Sequence, residues 1–284
     1  MIEPYSFCIR VCGIRIRFHV PSPVEMAEEF IPFLCDSDEA DEEFRIQLIT
    51  KPLPLDKPPA FRSGYIKIYQ TDEGWLRVYP PLIEADGCQV ACLLRPNGEN
   101  VLFYPAKKWG FYASPLRCAH LIGAETLLLR HDALLLHSSV VCHEGKAILF
   151  SGPSGAGKST QAGLWARYLG ADILNGDRCV IRKELEGFIG SGCPWAGTSG
   201  IFRQSQAPIS GIFLVTQSPQ NSVERLGVQA FSPLYSQTLV NSWDPAFMEK
   251  ILPLLEKILE QVPVYRLNCR ADREAVELAY QSLF

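Results

Sequence analysis

The sequence has no basic excess, no long apolar run and no paired zinc hooks, and each absence removes a class of function. Its 27 lysines and arginines against 31 acidic residues leave a formal net charge of -4. A phosphate-backbone footprint needs clustered cations, so nucleic acid is not an expected partner. The most apolar stretch, Leu121 to Cys142, is interrupted by Glu125, Arg130, His131, Asp132 and His137, each costly inside a bilayer, so no membrane partner is expected. The N-terminal residues alternate apolar positions with Arg10, Arg15 and Arg17 in place of an export signal, which points to a cytoplasmic protein. Ten cysteines are present, but the closest pairs, Cys8 with Cys12 and Cys88 with Cys92, are spaced C-x-x-x-C; they read as reduced core thiols and not as structural zinc ligands. Internal repeats and low-complexity tracts are also absent.

What is there is enough apolar material, 47% of 284 residues, for two modest cores. The texture of the chain suggests two domains, residues 1–112 and 113–284. In the first, alternation from Ser6 to His19 around Cys12-Gly13 predicts a hairpin. Ser22, Pro23 and Glu25 then form a capping box that predicts a helix to about Cys35, with Met26, Phe30 and Phe33 on its apolar face. The six acidic residues between Asp36 and Glu43 read as a solvated loop. Strand-like runs follow at 44–50, 65–70, 75–80, 88–95 and 100–104, separated by turn-forming residues, and this half reads as an antiparallel β-rich recognition or scaffold domain.

From Ser114 the pattern becomes α/β: a helix to about His131, strands at 134–142 and 146–151, and a helix to about Leu169. Strands at 172–182, 187–190, 209–216 and 263–267 follow, with helices near 230–240, 245–260 and 271–283. Between the strand ending at Ser151 and the next helix lies Gly152-Pro153-Ser154-Gly155-Ala156-Gly157-Lys158-Ser159, followed by Thr160. This matches G-x-x-x-x-G-K-[ST] in the strand and helix context that the phosphate-binding P-loop requires. Glycines let successive N–H groups point inward, the helix N-terminus favours anions, and a lysine supplies a mobile charge. Residues 152–160 are therefore expected to hold the phosphates of a nucleoside triphosphate, ATP being the expected cofactor, with Ser159 offering its hydroxyl to Mg²⁺.

A P-loop needs a second Mg²⁺ anchor at the end of a neighbouring strand, and Asp177 in Asn175-Gly176-Asp177-Arg178 fits that role. An aspartate after Asn-Gly fits equally well as a plain turn residue. Taken with the P-loop, Leu136-His137-Ser138-Ser139-Val140 and the run Ile173 to Ile181 resemble the catalytic domain of HPr serine kinase/phosphorylase and related kinases. The run Gly192-Cys193-Pro194-Trp195-Ala196-Gly197-Thr198 is similar to a segment of uncharacterised bacterial relatives; the resemblance covers residues 115–270. It implies a phosphoenolpyruvate-carboxykinase-like P-loop fold and transfer of a γ-phosphoryl group to a hydroxyl of a peptide, a protein or a small molecule. The family's strand histidine falls on His137, its lysine and hydroxyl on Lys158 and Ser159, and its paired aspartates on Gly176 and Asp177. The metal-binding acid is thus kept and the general-base acid is missing. The catalytic candidates are His137, Lys158 and Asp177, and the metal candidates Ser159 and Asp177.

Without the family, a lone histidine on an apolar strand is more often a hydrogen-bonded core residue. Arg203 reads as a surface arginine or a phosphate clamp, Arg178 is undecided, Trp195 reads as core or as a stacking platform, and Thr198 and Ser199 as a pocket edge. Three functions stay open: a kinase in which His137 orients the acceptor, a nucleotide-binding regulator left without a base by Gly176, and an NTPase or small-molecule kinase outside this family, which needs only the P-loop. The resemblance to hexameric kinases leaves a homo-oligomer open.

Overall fold

The computed structural model describes residues 5–26, 28, 30–80, 87–195, 197 and 199–284. They form a mixed α/β protein with two eight-stranded β-sheets. The chain divides into two compact units, Met1–Leu127 and Leu128–Phe284.

In the first unit β1 (Tyr5–Val11) and β2 (Ile14–Val20) make the expected hairpin, with both turn residues left-handed, Cys12 at φ 50° and Gly13 at φ 79°. The sheet continues through β3 (Glu42–Ile49), β4 (Phe61–Ser63), β5 (Ile66–Thr71), β6 (Gly74–Tyr79), β7 (Val90–Leu94) and β8 (Glu99–Pro105), in the order β1-β2-β3-β8-β7-β6-β5-β4. The β4 to β8 meander is antiparallel, whereas β3 runs parallel to both β2 and β8, so the sheet is mixed at its centre.

Two expected helices change. Between Ser22 and Cys35 only a 3₁₀ turn, Ile31–Phe33, forms among the described residues. The Ser22 hydroxyl, meant for an N-cap, accepts a hydrogen bond from the Trp109 indole at 2.8 Å. Phe30 and Phe33 are still fully buried, so the apolar spacing was that of a packed turn. The helix expected over 114–131 is broken: α1 (Trp109–Tyr112) precedes α2 (Pro115–Ala119), and α3 (Ala124–Arg130) begins after a left-handed Gly123 at φ 63°. The break serves the first sheet. The Leu121 carbonyl accepts the Tyr79 hydroxyl at 2.9 Å, the Arg77 guanidinium fills the place of a Cβ on Gly123, and Arg77 pairs with Glu125 and Thr126. These bonds group residues 109–127 with the first unit.

In the second unit β9 (Ala133–His143) and β10 (Lys146–Ser151) form a hairpin leading into α4 (Lys158–Leu169). Then come β11 (Asp172–Asn175), β12 (Arg178–Glu184), β13 (Gly187–Ser191), β14 (Gln206–Gln217), β15 (Ser222–Leu226), α5 (Phe231–Gln237), α6 (Pro245–Gln261), β16 (Val264–Cys269) and α7 (Arg273–Leu283). Strand β14 returns to pair with β10, closing a five-strand ring of β10, β9, β12, β13 and β14, which β16 and β15 extend. One face of this sheet carries Leu136, Val140, Leu149 and Leu214 against Phe247, Ile251 and Leu255 of α6. The other carries Val141, Ile148, Phe150 and Phe213 against Trp165 of α4 and Val276 of α7. Strands β10, β14 and β16 are mutually parallel, so their carboxyl ends open on one edge, where ligands bind in open α/β sheets. Among the described residues no helix is long and apolar enough to cross a membrane.

Candidate functional site

The P-loop leaves β10 at Ser151 and closes at the start of α4. Gly152 lies at φ 147°, where a Cβ would meet the Val215 carbonyl at 3.0 Å, and Gly157 at φ 104° is the N-cap of α4. Those conformations are open to glycine alone, which is the physical reason for the spacing. Among the described residues no side chain caps α4, so its first N–H groups stay available to an anion. The Lys158 ammonium is nearly buried and donates to the carbonyls of Gly152 at 2.9 Å and Pro153 at 3.0 Å. Burial lowers its pKa below the ordinary lysine value, while the charge of Asp177 acts in the opposite sense. Ser154 and Thr160 are exposed, and the amide of Gln217, at the end of β14, donates to the Gly155 carbonyl at 2.7 Å.

Facing this loop, one face of β9 carries His137, Ser139, Val141 and His143 at every second position. Val141 and His143 pack toward Trp165 of α4. Ser139 reaches the first turn of α4, its hydroxyl 3.5 Å from that of Ser159, and both hydroxyls donate to the Gly176 carbonyl, at 2.7 and 3.1 Å. His137 is the next residue on that face, about 7 Å further along the strand. Pairing changes there: Ser138 pairs with Ser151 of β10, and Leu136 bridges to Thr238 beyond α5. His137 therefore stands where the neighbouring strand leaves to become the P-loop.

On the other side of β9, β11 and β12 pair in turn, with a register shift between Ile173 and Asn175. The buried Asn175 builds the intervening turn: its Oδ1 accepts the N–H groups of Asp177 and Arg178, both at 2.9 Å, and its Nδ2 donates to the Cys193 carbonyl at 3.0 Å. Asn175 is the turn-forming side chain, and the Asp177 carboxylate is left to face His137, Oδ1 lying 3.3 Å from Nε2, with Arg178 Nε 3.5 Å from Oδ2. The fold thus joins Ser159 to the Gly176 carbonyl, one residue before an Asp177 that pairs with His137 and whose charge acts on Lys158.

These residues fit a magnesium nucleotide. Ser159 and Asp177 are hard oxygen donors on adjoining elements, and Mg²⁺ takes one or two protein carboxylates when phosphates and waters supply the rest. Among the described residues no group of three or more His, Cys, Asp and Glu gathers as a cage for a metal. A cavity of about 470 Å³ adjoins the loop, lined by Thr160 and Gln161 of α4, Gln217 and Ser218 at the end of β14, and Cys269 and Arg270 at the end of β16. A second, of about 300 Å³, lies between His137, Asp177 and Arg178 on one wall and Ser236, Gln237 and Thr238 on the other.

Other expectations fare differently. Arg203 donates to Asp172 at 2.6 Å, at the opposite end of β11 from Asp177, and is no clamp. Trp195 is 2% exposed, a core residue without a free face for stacking. Thr198 lies outside the described residues. Sequence reasoning missed Asn175, whose Asn-Gly pair was a turn signal, and Gln217 and Gln237, for which no local pattern exists.

The chain matches no protein-family model and no curated protein. Among solved structures it is similar to the Hpr(Ser) kinase/phosphatase from Coxiella burnetii, at 13% identity and a TM-score of 0.29, over 52% of this chain and 87% of that one.

Proposed function

We propose that the chain is a Mg²⁺- and ATP-dependent phosphotransferase that moves the γ-phosphoryl group to a hydroxyl of a peptide, protein or small molecule. The observation that carries this is the bond from Ser159 to the Gly176 carbonyl, which sets the start of α4 one residue from an Asp177 that pairs with His137 and whose charge acts on Lys158. The free N–H groups at the start of α4 cradle the phosphates, and Lys158 exchanges its two carbonyl partners for phosphate oxygens. Ser159 and Asp177 would hold Mg²⁺, which supplies charge neutralisation at the phosphates. The 470 Å³ cavity suits the nucleoside and the 300 Å³ cavity the acceptor. There His137 turns Nε2–H to Asp177; the other ring nitrogen, Nδ1, orients the incoming hydroxyl and receives its proton, and Asp177 steadies the resulting imidazolium. Phosphoryl transfer relies on positioning and electrostatics, so the missing carboxylate at Gly176 is compatible with turnover.

Gly176 favours a second reading, a nucleotide-binding regulator without turnover. Calorimetry with Mg-ATP, together with γ-labelled ATP and pools of hydroxyl acceptors, separates the two. The kinase reading expects heat of binding and label transfer, both lost in Lys158→Ala. Binding without transfer across broad acceptor pools selects the regulator; no binding of any purine triphosphate ends both.

A further inference from the structure

The described residues 192–195, 197 and 199–203 lie as a strap across the turn that delivers Asp177. Both ends of the strap are pinned to that turn and to β11. At one end Asn175 holds the Cys193 carbonyl, and a Cβ on Gly192 would run into the backbone of Arg203 and Leu174. At the other, the Arg203 N–H donates to the Leu174 carbonyl at 2.9 Å and Phe202 bridges to Asn175. Between these pins Gly197 lies on the catalytic carboxylate: a Cβ there would sit 2.5 Å from Asp177 Cγ. Ser199 lies on Gly176, where an added Cβ would be 2.6 Å from the Ser199 Cβ and would also strike its hydroxyl. Residue 176 is thus confined to glycine because Ser199 occupies the space a side chain would need.

That placement has a chemical meaning. The carbonyl of Gly176 receives the P-loop hydroxyl of Ser159, so Ser199 packs one residue away from the phosphate loop and two positions from the glycine that lies on Asp177. Ser199 is exposed, and its oxygen accepts a 3.3 Å bond from the Ile201 N–H. We propose that Ser199 is a phosphoryl acceptor, so that the chain phosphorylates itself on this strap. The proposal rests on the phosphotransferase reading of the site. In the reaction the Ser199 Oγ–phosphorus bond forms as the bond from the γ-phosphorus to its bridging oxygen breaks. The nucleoside diphosphate leaves with that electron pair, and the hydroxyl proton passes to the Asp177–His137 pair and on to water. The resulting phosphate carries about two negative charges beside the Asp177 carboxylate, and like-charge repulsion lifts the strap from the turn.

The test is phosphosite mapping and intact mass of the full chain, as isolated and after Mg-ATP, with ADP release and transfer to added acceptors followed in parallel. One added phosphate on Ser199 is expected, abolished in Ser199→Ala. Gly176→Ala, which displaces the strap, lowers the labelling rate by about tenfold or more. Without any nucleotide, Gly176→Ala also speeds amide exchange over residues 192–203. Phosphate mapping instead to Ser236, which lines the 300 Å³ cavity, or to Ser154 overturns the proposal. So does an unmodified Ser199 in protein that still transfers label to an added acceptor, which leaves the phosphotransferase reading standing. No nucleotide heat and no ADP release would remove both.

Discussion

Lys158 is held among carbonyls in a nearly closed site, and its depressed pKa makes two pH dependences of opposite sign. A triphosphate needs the ammonium, so nucleotide affinity is full below the depressed value and falls as pH rises through it, earlier than an ordinary lysine would allow. For the empty protein the unfolded chain keeps this proton to higher pH than the folded one. In the window between the two values the unfolded state therefore binds more protons, and stability rises with pH. Titrating a non-hydrolysable Mg-ATP analogue from neutral to alkaline pH should show the affinity loss, and Lys158→Arg should flatten it; a wild-type profile as flat as that of the arginine variant would refute the assignment. Gly176 gives a second test at this scale. Gly176→Asp reinstates a carboxylate but drives it into Ser199, so it should lower stability by about 1–3 kcal/mol and fail to raise transfer. Ser199→Gly in the same chain should recover most of the urea midpoint. The motif residues were legible because four fixed positions in a strand-loop-helix frame carry their own mechanism. Gly176 was legible only as a missing acid, since the serine that excludes a side chain there lies 23 positions away in the chain.

The turn between β11 and β12 is the element that aims the site. Asn175 satisfies two backbone donors and anchors the strap through Cys193, all without solvent exposure. Asn175→Ala leaves those groups unpaired, and each buried unsatisfied group costs about 1–3 kcal/mol. Denaturant unfolding should show that loss. Nucleotide affinity in this variant should become less dependent on magnesium, because Asp177 is no longer fixed opposite Ser159; a loss of stability with unchanged magnesium dependence would mean the turn supports the fold alone. Elements with a clear signature, such as β2 with its period-two alternation and β9 with its apolar runs, could be read from the chain. Strand β15, whose middle three residues are intermediate or exposed, had no such pattern. The capping box at Ser22 misled for a different reason: its hydroxyl is taken by Trp109, 87 residues away, and tertiary bonding overrides a local cap. Parallel pairing of β3 with β8 likewise depends on residues more than 50 positions apart, beyond the reach of local periodicity.

At the scale of the molecule, nucleotide should act on one unit of the two. Every residue that adjoins the P-loop, the two cavities and the strap belongs to Leu128–Phe284. A ligand that binds only the folded state adds RT ln(1 + [L]/Kd), about 2.7 kcal/mol at a hundredfold excess over Kd. Mg-ATP should therefore slow amide exchange in β9, β10, α4 and the 175–177 turn, leaving β1 to β8 at their nucleotide-free rates. Within the first unit, stability should depend instead on the buried Arg77–Glu125 pair. Glu125→Ala removes the carboxylate that neutralises a guanidinium 6% exposed, a change that typically costs about 3–5 kcal/mol. That variant should lose protection in β6 and over residues 115–127 while its heat of nucleotide binding stays at the wild-type value. If nucleotide instead protected β1 to β8 as strongly as the P-loop, or if Glu125→Ala abolished nucleotide binding, the two units would be one cooperative body. The first sheet would then be part of the machinery that holds the phosphates.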